Sequence, residues 1–248
     1  MREILYGRQP VRETLRAGRR QVFRLVVADR IKPTGIVGQI LSLAERAGVP
    51  VQTINRRELD KLSGEANHQG LAVEVSAYPY VALADLLNAT REAQVPPFLL
   101  LLDHIQDPQN LGSLLRSAEA AGIHGVAIPR RRAAGVTPAA VRASAGAAEH
   151  VQVAQVGNLV QAMDHLREKG VWLAGLEALP AAQLYTAADL SGALGLVVGS
   201  EGQGLARLVR DKCDFLIRLP MQGQVESLNA AVAGAIALYE ARRQRTAG

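Results

Sequence analysis

Cysteine is nearly absent from this sequence. Cys213 stands alone among 248 residues, which excludes an intrachain disulfide and a thiolate metal cluster. Histidine is sparse too: five are scattered with no pair at metal-ligand spacing, so no metal is expected. No apolar run approaches the ~18 residues of a membrane span. The opening MREILYGRQP lacks the apolar core of a signal peptide, so a cytoplasmic protein without a membrane partner is expected. Acidic residues are outnumbered: the formal charge is +5 and the isoelectric point about 9.7. Arginine supplies most of the excess, 24 against 4 lysines, and residues 1–30 carry eight arginines against three acids. Such a field gathers phosphate polymers, and a guanidinium adds bidentate geometry, so nucleic acid is a natural partner class. An arginine-biased coding composition would leave the same excess.

What the sequence does contain is alternation. FRLVVA (23–28), LAVEV (71–75), FLLLLD (98–103), GVAIP (125–129), VWLAGL (171–176), LGLVVG (194–199) and DFLIRLP (214–220) read as strands. Amphipathic stretches at 35–47, 110–121, 157–168, 204–212 and 226–243 read as helices. Strands alternating with helices predict an α/β fold with a largely parallel sheet. Pro79 and the Pro96-Pro97 pair bracket a short amphipathic piece that reads as a joint. The expected division is a small basic domain over 1–76, a linker over 77–96 and a larger domain over 97–248.

Three stretches of the second domain are candidates for chemistry. In DHIQDPQNLGSLLRSAEAAG (103–122), Asp107-Pro108 marks a turn, Asn110 suits a helix cap, and Arg116 lies further along the helix. In GLVVGSEGQGLARL (195–208), a strand runs into Gly199, Gly202 and Gly204, where backbone can approach a ligand closely. The spacing is neither a dinucleotide fingerprint nor a Walker motif. In LPMQGQVESLNAAVAGAIALYE (219–240), a loop enters a helix near Ser227 that is apolar on nearly every side and rich in alanine. Each has an ordinary structural explanation: a capped helix, a tight turn, a buried helix. No nucleophile–histidine–carboxylate set and no paired carboxylates are read near these loops, only groups suited to holding and orienting.

Taken in order, NLGSLLRSAEAAG, VVGSEGQGL and LPMQGQVESLNAAVA resemble the three motifs of the SpoU (TrmH-like) branch of the SPOUT RNA methyltransferases. The likeness extends to ILYGRQPVRETL (4–15) and NHQGLAVEV (67–75), which resemble the ends of the L30e-like RNA-binding domain of the 23S rRNA guanosine 2′-O-methyltransferases. AIPRRRA (127–133) and SAGAAEHVQV (144–153) fall where those enzymes have a basic loop and a small-residue helix. The resemblance implies a trefoil-knotted C-terminal catalytic domain that binds S-adenosylmethionine, and a homodimer. Gly199, Leu219 and Leu228 match cofactor-holding positions, with Leu176 and Met221 as further candidates. Asn110, Arg116, Glu201, Ser227 and Asn229 match the polar catalytic cluster, and Arg130, Arg131 and Arg132 the RNA contacts. Ala231 replaces a second serine common in the family, and Leu219 an isoleucine.

The implied reaction is methylation of a ribose 2′-hydroxyl, most specifically a guanosine of 23S rRNA. The same chemistry on tRNA or another rRNA nucleotide is the near alternative. A non-catalytic RNA-binding or ribosome-assembly protein is the alternative of another class. Family proposals make the Arg116 position the base; an arginine, protonated throughout the working range of pH, is better suited to clamping the target phosphate.

Overall fold

The computed structural model describes residues 2–225 and 227–247. The chain packs as two compact units, one of residues 1–79 with 136–150, the other of 80–135 with 151–248.

In the first unit, β1 (Arg2–Tyr6), β2 (Val22–Ala28), β3 (Val51–Ile54) and β4 (Leu71–Ser76) form a sheet of order β1-β4-β2-β3. The outer strand β1 and the inner strand β2 both run antiparallel to β4, while β2 and β3 are parallel. Helices α1 (Arg8–Ala17), α2 (Ile36–Arg46) and α3 (Arg56–Leu62) connect them. Gly18 ends α1 in the left-handed region (φ 61°) and its N–H donates to Thr14 O, as a glycine C-cap does. Asn55 caps α3 by accepting from Glu58 N at 3.0 Å. The sequence reading misses β1 and α1: their charged residues hide an amphipathic pattern whose apolar side buries Leu5 and Val11.

The second unit begins with α4 (Leu83–Glu92), which buries Leu86 and Leu87 in that unit's core. The short amphipathic piece read within the joint forms this helix, and the compact units divide at 79/80. There follow β5 (Phe98–Leu102), α5 (Pro108–Ala120) and β6 (Gly125–Pro129). The chain then contributes α6 (Pro138–Ala143) and a 3-10 turn at Ala147–Glu149 to the first unit. The small-residue helix expected over 144–153 thus lies earlier, because Gly146 takes a left-handed turn (φ 89°) and β7 begins at Val153.

The remaining elements are β7 (Val153–Val156), α7 (Leu159–Glu168), β8 (Trp172–Leu176), β9 (Gln183–Leu184), β10 (Leu194–Val198), α8 (Arg207–Lys212), β11 (Phe215–Arg218) and α9 (Ala230–Ala247). They complete a seven-stranded sheet of order β7-β6-β5-β10-β8-β11-β9 with every recorded pairing parallel. All five residues of β5 are buried, as a strand covered on both faces requires. Each such large side chain contributes about 2 kcal/mol. The final helix opens at Ala230 rather than at 226, and Glu226 lies outside the described residues. Its small side chains allow close packing: a Cβ on Gly234 would meet Leu114 Cδ2 of α5 at 2.6 Å.

Candidate active site

Most residues of interest in the second unit lie at or just past the carboxyl end of a strand, or at the start of a helix beside one. From β5 the chain runs outward to β6 and β7, whereas β10 and β8 lie on its other side. The direction of winding changes between β5 and β10, which is where an open parallel sheet leaves a ligand crevice. The hydrogen bond from Asp103 N to Val198 O (2.8 Å) fixes the lip of that crevice.

One cavity, of about 210 Å³, opens there. Gly199, Leu176, Leu219, Met221 and Leu228, the five cofactor candidates, all line it. Gly199 is required by its surroundings, because a Cβ there would run into the backbone of Gly204. Ser200 and Gly204 exchange two backbone hydrogen bonds (3.1 and 3.0 Å), closing the loop as a tight turn with Gly202 and Gly204 at positive φ. Glu177, which the sequence reading did not single out, accepts from Leu205 N at 3.0 Å and stands where any side chain on Gly204 would go. Among the described residues, the charged ones lining this cavity are Glu177 and Glu201, with no lysine or arginine beside them. Apolar walls with two carboxyl groups suit a cationic ligand bearing an aromatic base, such as S-adenosylmethionine, and do not suit a pyrophosphate.

At the cavity's mouth three predicted residues meet. Asn229 Nδ2 donates to Asn110 Oδ1 (2.9 Å) and to Glu201 Oε2 (3.0 Å), and Asn110 Nδ2 donates to the same Glu201 oxygen (3.3 Å). The caps explain the arrangement. Asp107, not Asn110, caps α5 by accepting from Gln109 N, which leaves Asn110 for the cluster. Asn229, not Ser227, caps α9, its Oδ1 accepting from Ala231 N (2.9 Å) and Val232 N (3.3 Å). Ser227 is exposed and lines the cavity.

Arg116 is not brought to this cluster. It lies six residues beyond Asn110 on α5, about 9 Å along the axis and about 120° round it. It is exposed, lines neither cavity of this crevice, and makes no hydrogen bond or ion pair among the described residues. Arg130, Arg131 and Arg132 are also exposed, and of these Arg132, in left-handed conformation (φ 57°), lines a second cavity.

That second cavity, about 740 Å³, shares Ser200, Glu201, Gln203 and Gly204 with the first. Asn110, Asp103, His104 and Arg207 also line it. A carboxylate–histidine pair that the sequence reading does not single out stands at this loop: His104 Nδ1 lies 2.5 Å from Asp103 Oδ1. The signal was the adjacent Asp-His at a strand's carboxyl end. Cys213 is no rival nucleophile, because burial, reinforced by nearby acids, pushes its thiol up to about 12. The described residues contain no group of three or more His, Cys, Asp or Glu able to hold a metal, and no helix long and apolar enough to cross a membrane.

Comparison with known proteins places the chain in a family. The SpoU rRNA methylase family model matches residues 97–239, and a model described as RNA 2′-O ribose methyltransferase substrate binding matches 4–81. A Bacillus subtilis (strain 168) protein, YacO, whose name places it in the TrmH family of tRNA/rRNA methyltransferases, is 42% identical over 98% of this chain and 96% of its own. An AdoMet-bound rRNA methyltransferase from Sinorhizobium meliloti superposes with a TM-score of 0.77 at 25% identity, covering 98% of this chain and 87% of that one. The SpoU methyltransferase AviRb from Streptomyces viridochromogenes, in complex with AdoMet, shares the fold with a TM-score of 0.82 at 24% identity, covering 100% of this chain and 92% of that one.

Proposed function

This chain belongs to the SpoU family of S-adenosylmethionine-dependent RNA methyltransferases, and we propose that it methylates the 2′-hydroxyl of a guanosine ribose in 23S rRNA. The observation that carries this reading is the meeting of two cavities at one polar cluster. Among the described residues, one cavity has apolar walls and only carboxyl groups for charge; the other sets Arg132 and Arg207 among Asp103, Asp107 and Glu201. The first suits the cationic cofactor and the second a nucleotide with its phosphate.

The sulfonium supplies the methyl group already activated as an electrophile. The residues of the chain therefore act chiefly by orientation, which is worth several kcal/mol of a barrier when reacting atoms are held in line. Gly199, Leu219, Leu228, Leu176 and Met221 would seat the cofactor. Asn110, Asn229 and Glu201 would fix the nucleotide edge of the site, with Ser227 beside them. Arg116 would clamp a substrate phosphate, and its distance from the cluster means that RNA must extend beyond the target nucleotide to reach it.

For the first unit we propose an L30e-like fold that holds RNA. One concavity of this unit is lined, among the described residues, by Arg8, Arg30, Lys32, Arg56 and Arg57 against the single acid Asp29, a phosphate-binding balance. For the second unit we propose the family's trefoil knot and a homodimer, in a cytoplasmic enzyme. The stripe of Val232, Ile236 and Tyr239 on α9, exposed at helical spacing, supports a second copy as the cover of that face.

The names of relatives span tRNA and rRNA, so tRNA is the second reading. The test is incubation of the protein with labelled S-adenosylmethionine and unmodified 23S rRNA, 16S rRNA or tRNA, followed by nuclease mapping. One 2′-O-methylguanosine in 23S rRNA is expected. Label in tRNA keeps the chemistry and discards the substrate; RNA binding without label in any RNA sinks the catalytic reading.

A further inference from the structure

A methyl transfer to a hydroxyl releases a proton, and the cluster of Asn110, Asn229 and Ser227 has no group basic enough to accept it. Glu201 already accepts two hydrogen bonds on one oxygen. Arginine is protonated throughout the working range of pH. The cavity beside the cluster holds a better candidate in His104.

Asp103, the first residue after β5, has 1% of its surface exposed. Its Oδ2 accepts from Ala206 N at 2.7 Å, and its Oδ1 faces His104 Nδ1 at 2.5 Å. A carboxylate that accepts on both oxygens favours, in the neutral ring, the tautomer with the proton on Nδ1 and the lone pair on Nε2. His104 itself takes a left-handed backbone conformation (φ 56°), uncommon for a residue with a side chain. Its ring is partly exposed where it lines the cavity with Asn110 and Glu201. The loop is braced, since Ala134 N donates to Ile105 O at 2.7 Å. Among the described residues, the charged groups that line the cavity around His104 are Asp103 and Asp107 on its own segment, Arg132 on the loop after β6, Glu201 on the loop after β10 and Arg207 at the start of α8.

Resting on the function proposed above, we infer that His104, oriented by Asp103, is the proton acceptor for the target ribose hydroxyl. The 2′-oxygen forms its bond to the methyl carbon as the carbon–sulfur bond breaks. The hydroxyl proton passes to His104 Nε2, and the sulfur departs with its electron pair as neutral S-adenosylhomocysteine. The imidazolium so formed lies against the Asp103 carboxylate, the arrangement by which a buried acid orients and stabilises a histidine base.

His104→Asn tests this without straining the loop, because asparagine tolerates the left-handed region. In single-turnover assays with the full chain, saturating S-adenosylmethionine and the RNA that the wild type methylates, the rate should fall about 100-fold or more, the scale of a lost general base. The affinities for S-adenosylmethionine and RNA should stay within about twofold. The wild-type rate should show a one-proton acid limb that is missing from the variant. Independently of turnover, the ¹⁵N spectrum of the cofactor-free protein should show neutral His104 protonated on Nδ1.

A variant with an unchanged rate, or with a higher KM for RNA but an intact acid limb, overturns the assignment and makes His104 a nucleotide contact or a bystander. Protonation on Nε2 overturns it as well. No transfer by the wild type to any RNA overturns the function proposed above and this inference with it. Transfer by the wild type that is unaffected in the variant overturns this inference alone.

Discussion

The two sheets of this molecule use charge in opposite ways. In the first unit charged side chains are built into the structure. Arg20, its side chain wholly buried, makes two bonds to Glu149 (3.0 and 2.8 Å) and one each to Glu3 (2.6 Å) and Ser76 O (3.1 Å). Arg2 and Arg24 both hold Glu74, while Arg12, Arg16 and His150 surround Glu13. In the second unit, β5, β6 and β10 are buried along their whole length, and the acids Asp103 and Glu177 appear just past the strand ends, at the crevice. An arginine count therefore cannot measure an RNA-binding surface. Of the eight arginines in residues 1–30, Arg2, Arg12, Arg16, Arg20 and Arg24 pair with acids of their own unit and Arg19 bonds its backbone. Arg8 and Arg30 reach the basic concavity.

The sharpest way to break this comparison is Glu149→Ala. Removing one partner of a buried pair typically costs about 3–5 kcal/mol, because the remaining charge is left inadequately matched. Burial pushes the Glu149 carboxyl up while Arg20 opposes it, so the pair holds its charge against a real desolvation cost. Urea unfolding of the full chain should show that loss, with affinity for S-adenosylmethionine within about twofold of wild type. A parallel loss of cofactor affinity would mean that the crevice depends on the charged sheet after all.

Gly199→Ala probes the other side of the comparison. Its Cβ has no space beside Gly204, and overpacking of this kind costs about 1–3 kcal/mol, or roughly a tenfold or larger rise in Kd for S-adenosylmethionine. Normal cofactor affinity would show that the turn gives way and that the glycine is not needed for closeness.

How much of this was legible beforehand follows the same divide. The strands of the second unit announce themselves because a doubly covered strand is a continuous apolar run, as in FLLLL. The five residues that the family resemblance marks as cofactor candidates line one cavity, but only Gly199 has a local reason of its own, the close backbone beside it. The first unit was harder to read. RQPVRETLRA looks like a basic tail until its partners are known, and nothing local shows that Arg20 will meet Glu149, 129 residues away. Caps were misplaced by two or three residues, since Asp107 and Asn110, or Ser227 and Asn229, are equally good capping types. Only the hydrogen bonds separate the cap from its neighbour. His104 was passed over because a histidine beside a strand-end aspartate has meaning only once both are seen to line a cavity.

Asn229→Asp separates the two duties of one residue at lower cost. Aspartate caps a helix about as well as asparagine, so stability should change by no more than about 0.5 kcal/mol. It cannot donate, however, and it would place a second carboxyl group beside Glu201, where Asn229 Nδ2 now lies 3.0 Å from Oε2. Methyl transfer should fall by about tenfold or more while the thermal midpoint is nearly kept. Equal loss of both would mean that the residue matters only as a cap.

The smallest effect is one of pH, and it concerns the charged sheet alone. Hydrogen bonds from Arg2 and Arg24 hold the Glu74 carboxyl below the usual carboxylate range, against a smaller opposing effect of burial. A depressed folded-state pKa means that the unfolded chain binds the proton more readily. Glu74 thus contributes stability above the unfolded-state value of about 4.3, and that contribution is lost as the pH falls through the folded-state value. Comparing wild type with Glu74→Gln in urea at pH 7, and stepwise down from pH 5, should give a stability difference that shrinks with acidity. A difference that stayed constant would show that glutamine loses packing rather than charge. The arginines of the first sheet would then be filling space with their aliphatic stems, and the contrast between the two sheets would rest on Arg20 and Glu149.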